Sequence, residues 1–190
     1  HDIITSPKGL EEYLHSYISV LPYNELGAAA AAYNADEKEL CRLDEIYSAV
    51  KTPFEIRSGS EKVTRRFFKI CNNGRESFTG LYKSLTEQGI CKGHQCIAYG
   101  LYMRDNGIEL SEGLAVYGYS ICSAIVTNCV KLVPLSQLAG QKILGESFEL
   151  ISSASEKALF TDINDIGISG AGFDLRAMQH ERLYSRQYMS

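Results

Sequence analysis

Asp36-Glu37-Lys38-Glu39-Leu40-Cys41-Arg42-Leu43-Asp44-Glu45-Ile46-Tyr47-Ser48-Ala49-Val50 carries the pattern that decides the fold class. Leu40, Leu43, Ile46, Tyr47 and Val50 recur at steps of one, three and four residues. That spacing gathers them on one face of an α-helix but would scatter them over both faces of a strand. Asp36 is the expected N-cap, with Glu39 three residues on as its capping-box partner. The same spacing continues in both directions. Leu10, Leu14, Tyr17, Ile18 and Leu21 form an earlier stripe. Phe54 to Cys71 reads as a long helix, closed by Asn72, Asn73 and Gly74. Phe78, Leu81, Tyr82 and Leu85 form another stripe, stopped by Gly89, and Cys96 to Arg104 a further helix ended by Asp105, Asn106 and Gly107. From about Glu109 to Leu132 the chain is apolar on most sides, which places that helix at the centre of a bundle. Pro134 is expected to open one helix running to about Phe160. Its interior Gly140 and Gly145 each cost roughly 1 kcal/mol relative to Ala, reasonable where another backbone packs close or a kink is wanted. No strand alternation and no internal repeat stand out. The expected fold is all-α: a single-domain helical bundle over 1–161, a flexible linker over 162–172 and a docking C-terminal tail over 173–190.

The length of 190 residues suits one domain with a sizeable core. A net charge of −4 and scattered basic residues do not build the stripe that nucleic acid needs. Lys62, Arg65, Arg66 and Lys69 fall at helical spacing and read as a solvated face. No apolar stretch is read as reaching the ~20 residues that cross a bilayer, and the run Ala28 to Ala32 is short. The chain opens on His1 with no visible signal peptide. The six cysteines are read as reduced thiols of a cytoplasmic protein, with Cys122 and Cys129 as small core residues.

Catalytic motifs are missing: no phosphate-cradling loop, no HExxH, no nucleophile elbow. The metal-like cluster is Cys91, His94 and Cys96, whose thiolate and imidazole groups suit nickel or zinc. C-x-x-H-x-C offers at most three ligands and no second cluster completes it, so loop and helix-start roles are preferred. A lone His180 in the tail reads as a hydrogen-bonding or interface residue. Neither catalytic residues nor a cofactor nor a resident metal is expected.

Three segments together resemble the UreF family. Asn128-Cys129-Val130-Lys131-Leu132-Val133-Pro134-Leu135-Ser136-Gln137-Leu138-Ala139-Gly140-Gln141-Lys142-Ile143-Leu144 is similar to a helix, a V-P-L-x-Q turn and x-x-G-Q. Met178-Gln179-His180-Glu181-Arg182-Leu183-Tyr184-Ser185-Arg186-Gln187-Tyr188-Met189-Ser190 resembles the ending M-x-H-E-x-x-Y-S-R-x-x-x-S. Glu55-Ile56-Arg57 with Arg66 resembles, more weakly, an E-x-R segment and its arginine helix. Two departures stand out: Thr64 sits where the family usually has Gly, and the family's N-terminal stretch, with its glycine pair and G-L-E, is not found, so its partner contacts are not carried over.

The resemblance implies an all-α, dimeric, non-enzymatic chaperone of urease maturation. It would bridge the accessory protein UreD (also called UreH) and the GTPase UreG, and the assembly would support nickel insertion into apo-urease. The partner-binding residues it points to are Gln137, Gly140 and Gln141, and His180, Glu181, Tyr184, Ser185, Arg186 and Tyr188. Replacing Gly140 with Leu is then expected to block assembly more than it harms folding. The alternatives are a helical metal-binding enzyme using Cys91, His94 and Cys96, and a generic helical adaptor.

Overall fold

The computed structural model describes residues 4–71, 74, 77–133, 135–168 and 170–183. Among these it is helical, with no strand. Helix α1 (Pro7–Val20) begins at the N-cap Ser6, whose Oγ accepts from Gly9 N, with proline in the first turn. It buries Leu10, Leu14 and Ile18, and each such side chain contributes roughly 1.5–3 kcal/mol by leaving water. A single 3-10 turn over Leu21–Tyr23 leads to α2 (Glu25–Asn34). Helix α3 (Glu37–Val50) carries the expected capping box: Asp36 Oδ1 accepts from Glu39 N at 2.8 Å, and Glu39 Oε2 accepts from Asp36 N at 3.0 Å.

Helices α4 (Phe54–Ile70), α5 (Phe78–Glu87) and α6 (Gln95–Asp105) follow, then α7 (Leu110–Leu132), α8 (Gln137–Glu146), α9 (Phe148–Ala158) and α10 (Ala171–His180). On α4, Lys62, Arg65, Arg66 and Lys69 face outward, while Thr64 is buried and donates to Ser60 O. Asp105 at the end of α6 accepts from Phe78 N and Thr79 N, so a carboxylate sits on the positive end of α5.

The centre of the bundle is α2 rather than α7. Helix α2 buries Leu26, Gly27, Ala28, Ala29, Ala30 and Ala32, and makes its most extensive contact with α6. The small residues are the reason. A Cβ added at Gly100 would stand 2.2 Å from Ala29 O, so the two backbones approach at a distance that larger side chains forbid. Helix α7 packs against α1, α2, α8 and α9 but leaves Val116 60% exposed. Its 23 residues are long and apolar enough to cross a membrane by length and composition, which corrects the reading that no stretch reaches that length. One such helix is weak evidence, because a bundle helix passes the same test.

The single helix expected from Pro134 to Phe160 is two. Ser147 ends α8 and starts α9, fully buried, with its Oγ donating to Ile143 O at 2.8 Å. That bond back into the preceding turn, two residues after Gly145, favours the break. Pro134 lies outside the described residues, and α8 starts instead at the N-cap Ser136, whose Oγ accepts from Ala139 N.

Candidate functional site

Helix α10 lies across α1 and α4. Phe173 sets its ring edge-on to Tyr13 and Tyr17, at centroid distances of 5.3 and 5.4 Å. His180 Nδ1 is 2.7 Å from Glu55 Oε2, and Glu181 Oε1 accepts from Glu55 N. The residues expected as linker are tied to the start of α2. Gly167 N donates to Tyr23 O at 2.7 Å, and Asn24 Nδ2 donates to Ile168 O. Helix α10 itself begins at Ala171, inside the range assigned to the linker.

Between α10, α4, α1 and α7 opens a cleft of about 830 Å³, with Tyr13, Tyr17, Lys51, Glu55, Tyr117 and His180 among its lining residues. Its floor holds a largely buried ion pair, Lys51 Nζ to Glu25 Oε1 at 2.7 Å. Asn24 Oδ1 accepts from the same ammonium, and Tyr47 OH donates to Glu25. The Glu25 charge, followed by burial, holds the Tyr17 phenol well above its ordinary pKa, while burial comes first for Tyr47 and Tyr117. The cleft therefore presents neutral phenols over the Lys51–Glu25 pair, with Glu55, Lys62, His180 and Glu181 also in its lining, a surface suited to binding. Nothing in the sequence pointed to Glu25 with Lys51, or to Phe173 with Tyr13, because neither pair shares a local spacing.

The cluster Cys91, His94 and Cys96 is not brought together as a ligand set. Cys91 Sγ lies 3.9 Å from Cys41 Sγ, His94 Nε2 is 2.7 Å from Ser48 Oγ, and Cys96 is buried near Tyr47. No group of three metal-ligating side chains is assembled among the described residues. The turn is held from α3 instead. Asp44 accepts from Lys92 N at 2.7 Å, Gly93 N at 3.1 Å and Tyr82 OH at 2.5 Å, while Tyr82 OH accepts from His94 N. Cys41, Asp44 and Ser48 thus form one stripe of α3 that grips residues 91–94. Burial, reinforced by Lys51 and Arg57 and opposed by Asp44, pulls His94 down to a pKa of about 4.

The other expected residues divide. Gly140 is buried on α7: a Cβ there would stand 2.7 Å from Val130 Cγ2 and 3.0 Å from Val126 Cγ1. Gln137 and Gln141 are exposed beside Leu138, which is 81% exposed. His180 and Glu181 lie at the cleft, while Tyr184, Ser185, Arg186 and Tyr188 fall outside the described residues. A separate shallow apolar groove of about 320 Å³ is lined by Val116, Tyr119 and Phe148 on α7 and α9.

The UreF family model matches residues 4–147, which takes in α1 through α8 and the grip of α3 on the 91–94 turn. The chain belongs to the UreF family. It is 32% identical over 193 residues to the urease accessory protein UreF of Actinobacillus pleuropneumoniae serotype 5b, covering 98% of this chain and 85% of the relative. It is 32% identical to that of Haemophilus influenzae, with 99% and 83% covered. The Streptococcus salivarius protein is 28% identical over all of this chain and 82% of its own. These UreF relatives align beyond residue 147, so the similarity includes α9, and α10 with the cleft it helps to close.

Proposed function

We propose that this chain is a urease accessory protein that acts by binding other proteins, and not by catalysis. The observation that carries the reading is the UreF match over residues 4–147, together with near full-length similarity to proteins named urease accessory protein UreF. In this reading a cytoplasmic homodimer assembles with UreD/UreH and the GTPase UreG and supports nickel insertion into apo-urease, nickel being cargo rather than a resident cofactor. The C-terminal segment is the proposed docking element. His180 and Glu181 anchor α10 beside the cleft, Tyr184, Ser185, Arg186 and Tyr188 are the proposed partner contacts, and Gln137 and Gln141 offer a second, exposed polar contact. Apolar side chains left in solvent, Val116, Phe148 and Leu138, support a chain that buries further surface in an assembly.

The test is co-purification of the full chain with its cognate UreD/UreH and UreG, followed by urease activation in a strain lacking this gene. A stable complex and restored activity are expected. Failure of both, with the protein folded and expressed, overturns the reading.

A further inference from the structure

Cys41 and Cys91 are fifty positions apart in sequence, yet their sulfurs stand 3.9 Å apart. The approach is held by more than the two thiols. Three residues on from Cys41, Asp44 binds the backbone N–H groups of Lys92 and Gly93, and Ser48 on the same face meets His94. Cys91 N itself donates to Leu85 O. The loop and the helix are thus fixed on both sides of the sulfur pair. A disulfide needs sulfurs ~2.05 Å apart, so about 2 Å of closure is required. The two thiols differ in access: Cys41 is partly exposed, whereas Cys91 is 2% exposed.

We infer that Cys41 and Cys91 form a reversible dithiol–disulfide couple, in which a small-molecule disulfide such as oxidised glutathione reacts at Cys41 and Cys91 resolves the adduct. In the first step the Cys41 thiolate attacks one sulfur of the oxidant. A bond forms between Cys41 and that glutathione, the oxidant's disulfide breaks, and one glutathione thiolate leaves and takes up a proton. In the second step Cys91, losing its proton, attacks Cys41 Sγ. The Cys41–Cys91 bond forms and the second glutathione leaves as a thiol. The protein gives up two electrons and two protons, and the oxidant is reduced to two thiols. Burial, with the nearby Asp44 charge and Cys41, raises the Cys91 thiol far above its ordinary range, which slows the second step but leaves it intramolecular. The product ties α3 to the 91–94 turn that Asp44 already grips, so the fold need not change.

The full chain is reduced, desalted and incubated with excess oxidised glutathione at neutral pH. It is then denatured, alkylated with iodoacetamide and mapped by mass spectrometry. Four alkylated cysteines of the six are expected, with one cross-linked peptide pair joining Cys41 to Cys91. The oxidised protein should melt at a higher temperature, and dithiothreitol should reverse the shift. Cys91→Ala should stop at a glutathionyl adduct on Cys41, and Cys41→Ser should yield neither adduct nor cross-link at these positions. Six alkylated cysteines in the wild-type protein, a cross-link between other positions, or a wild-type reaction that halts at the Cys41 adduct overturns the inference. The wild-type map decides this even if a variant fails to fold.

Discussion

His180 Nδ1 and Glu55 Oε2 meet at 2.7 Å across 125 residues of sequence, at the point where α10 crosses α4. Both belong to segments that resemble the family, one weakly and one strongly, and nothing in either segment alone says that they touch. The pair is partly exposed, His180 by 38%, so solvent screening keeps its direct contribution small, under about 1 kcal/mol. Phe173 against Tyr13 and Tyr17 holds the same helix by apolar contact. Phe173→Ala should therefore loosen α10 more than Glu55→Gln does, by about 1–2 kcal/mol. Amide hydrogen exchange over Ala171–His180 checks this: α10 protection should fall while that of α2 and α6 is kept.

Asp44 is the buried acceptor on which the 91–94 turn depends. Asp44→Asn replaces one carboxylate oxygen with a donor facing Tyr82 OH or backbone N–H groups. It should destabilise the fold by about 2–4 kcal/mol, since charge-assisted bonds are lost and donors are left unpaired. Urea unfolding measures the change; a loss under 0.5 kcal/mol, roughly the scale of a neutral surface substitution, would contradict the geometry.

Gly140→Leu now has a different expected outcome from the one its sequence context suggests. The glycine, on α8, faces Val126 and Val130 of α7 in the same chain at distances that leave no room for a side chain, so the variant should lose about 1–3 kcal/mol or more from overpacking. Gln141→Arg tests docking at this helix without that cost. Its melting temperature should stay unchanged, and weakened capture of UreD/UreH or UreG would place the contact on this face.

His94 makes stability depend on pH. Its folded pKa of about 4 lies below the usual 6.5, so between these values the unfolded chain binds a proton that the native chain does not. The His94 contribution is complete above pH 6.5 and is lost as pH falls towards 4, with a slope approaching about 1.4 kcal/mol per pH unit. Chemical denaturation at steps across this window should show the slope, and His94→Gln should remove that part of it.

Deleting Tyr184 to Ser190 should leave the bundle folded, with its helical circular dichroism intact, and abolish recruitment of the partner accessory proteins. Arg186→Ala alone should weaken it, because a guanidinium fork suits carboxylates and carbonyls. Normal complex formation and urease activation by the truncated chain would rule the segment out as the docking element.

What the sequence by itself determined is local. Helical spacing, the Asp36 capping box and the solvated basic face of α4 are set by residues within one or two turns of each other, and they are where the spacing puts them. The family was equally legible, because its two strong motifs are contiguous. What only the tertiary structure decided is which surfaces meet. Hydrophobicity alone pointed to α7 for the centre, yet α2 takes it, because Gly100 lets two backbones approach and small side chains pack closer than large ones. The buried Ser147 splits an apparently continuous helix. Cys91, His94 and Cys96 look like ligands in sequence, but α3 supplies Cys41, Ser48 and Tyr47 and turns each toward a different partner. The cleft beside α10 likewise exists because Glu25, Lys51, Glu55 and His180 converge from four places in the chain. Their association depends on long-range packing, which leaves no periodic trace in any one segment.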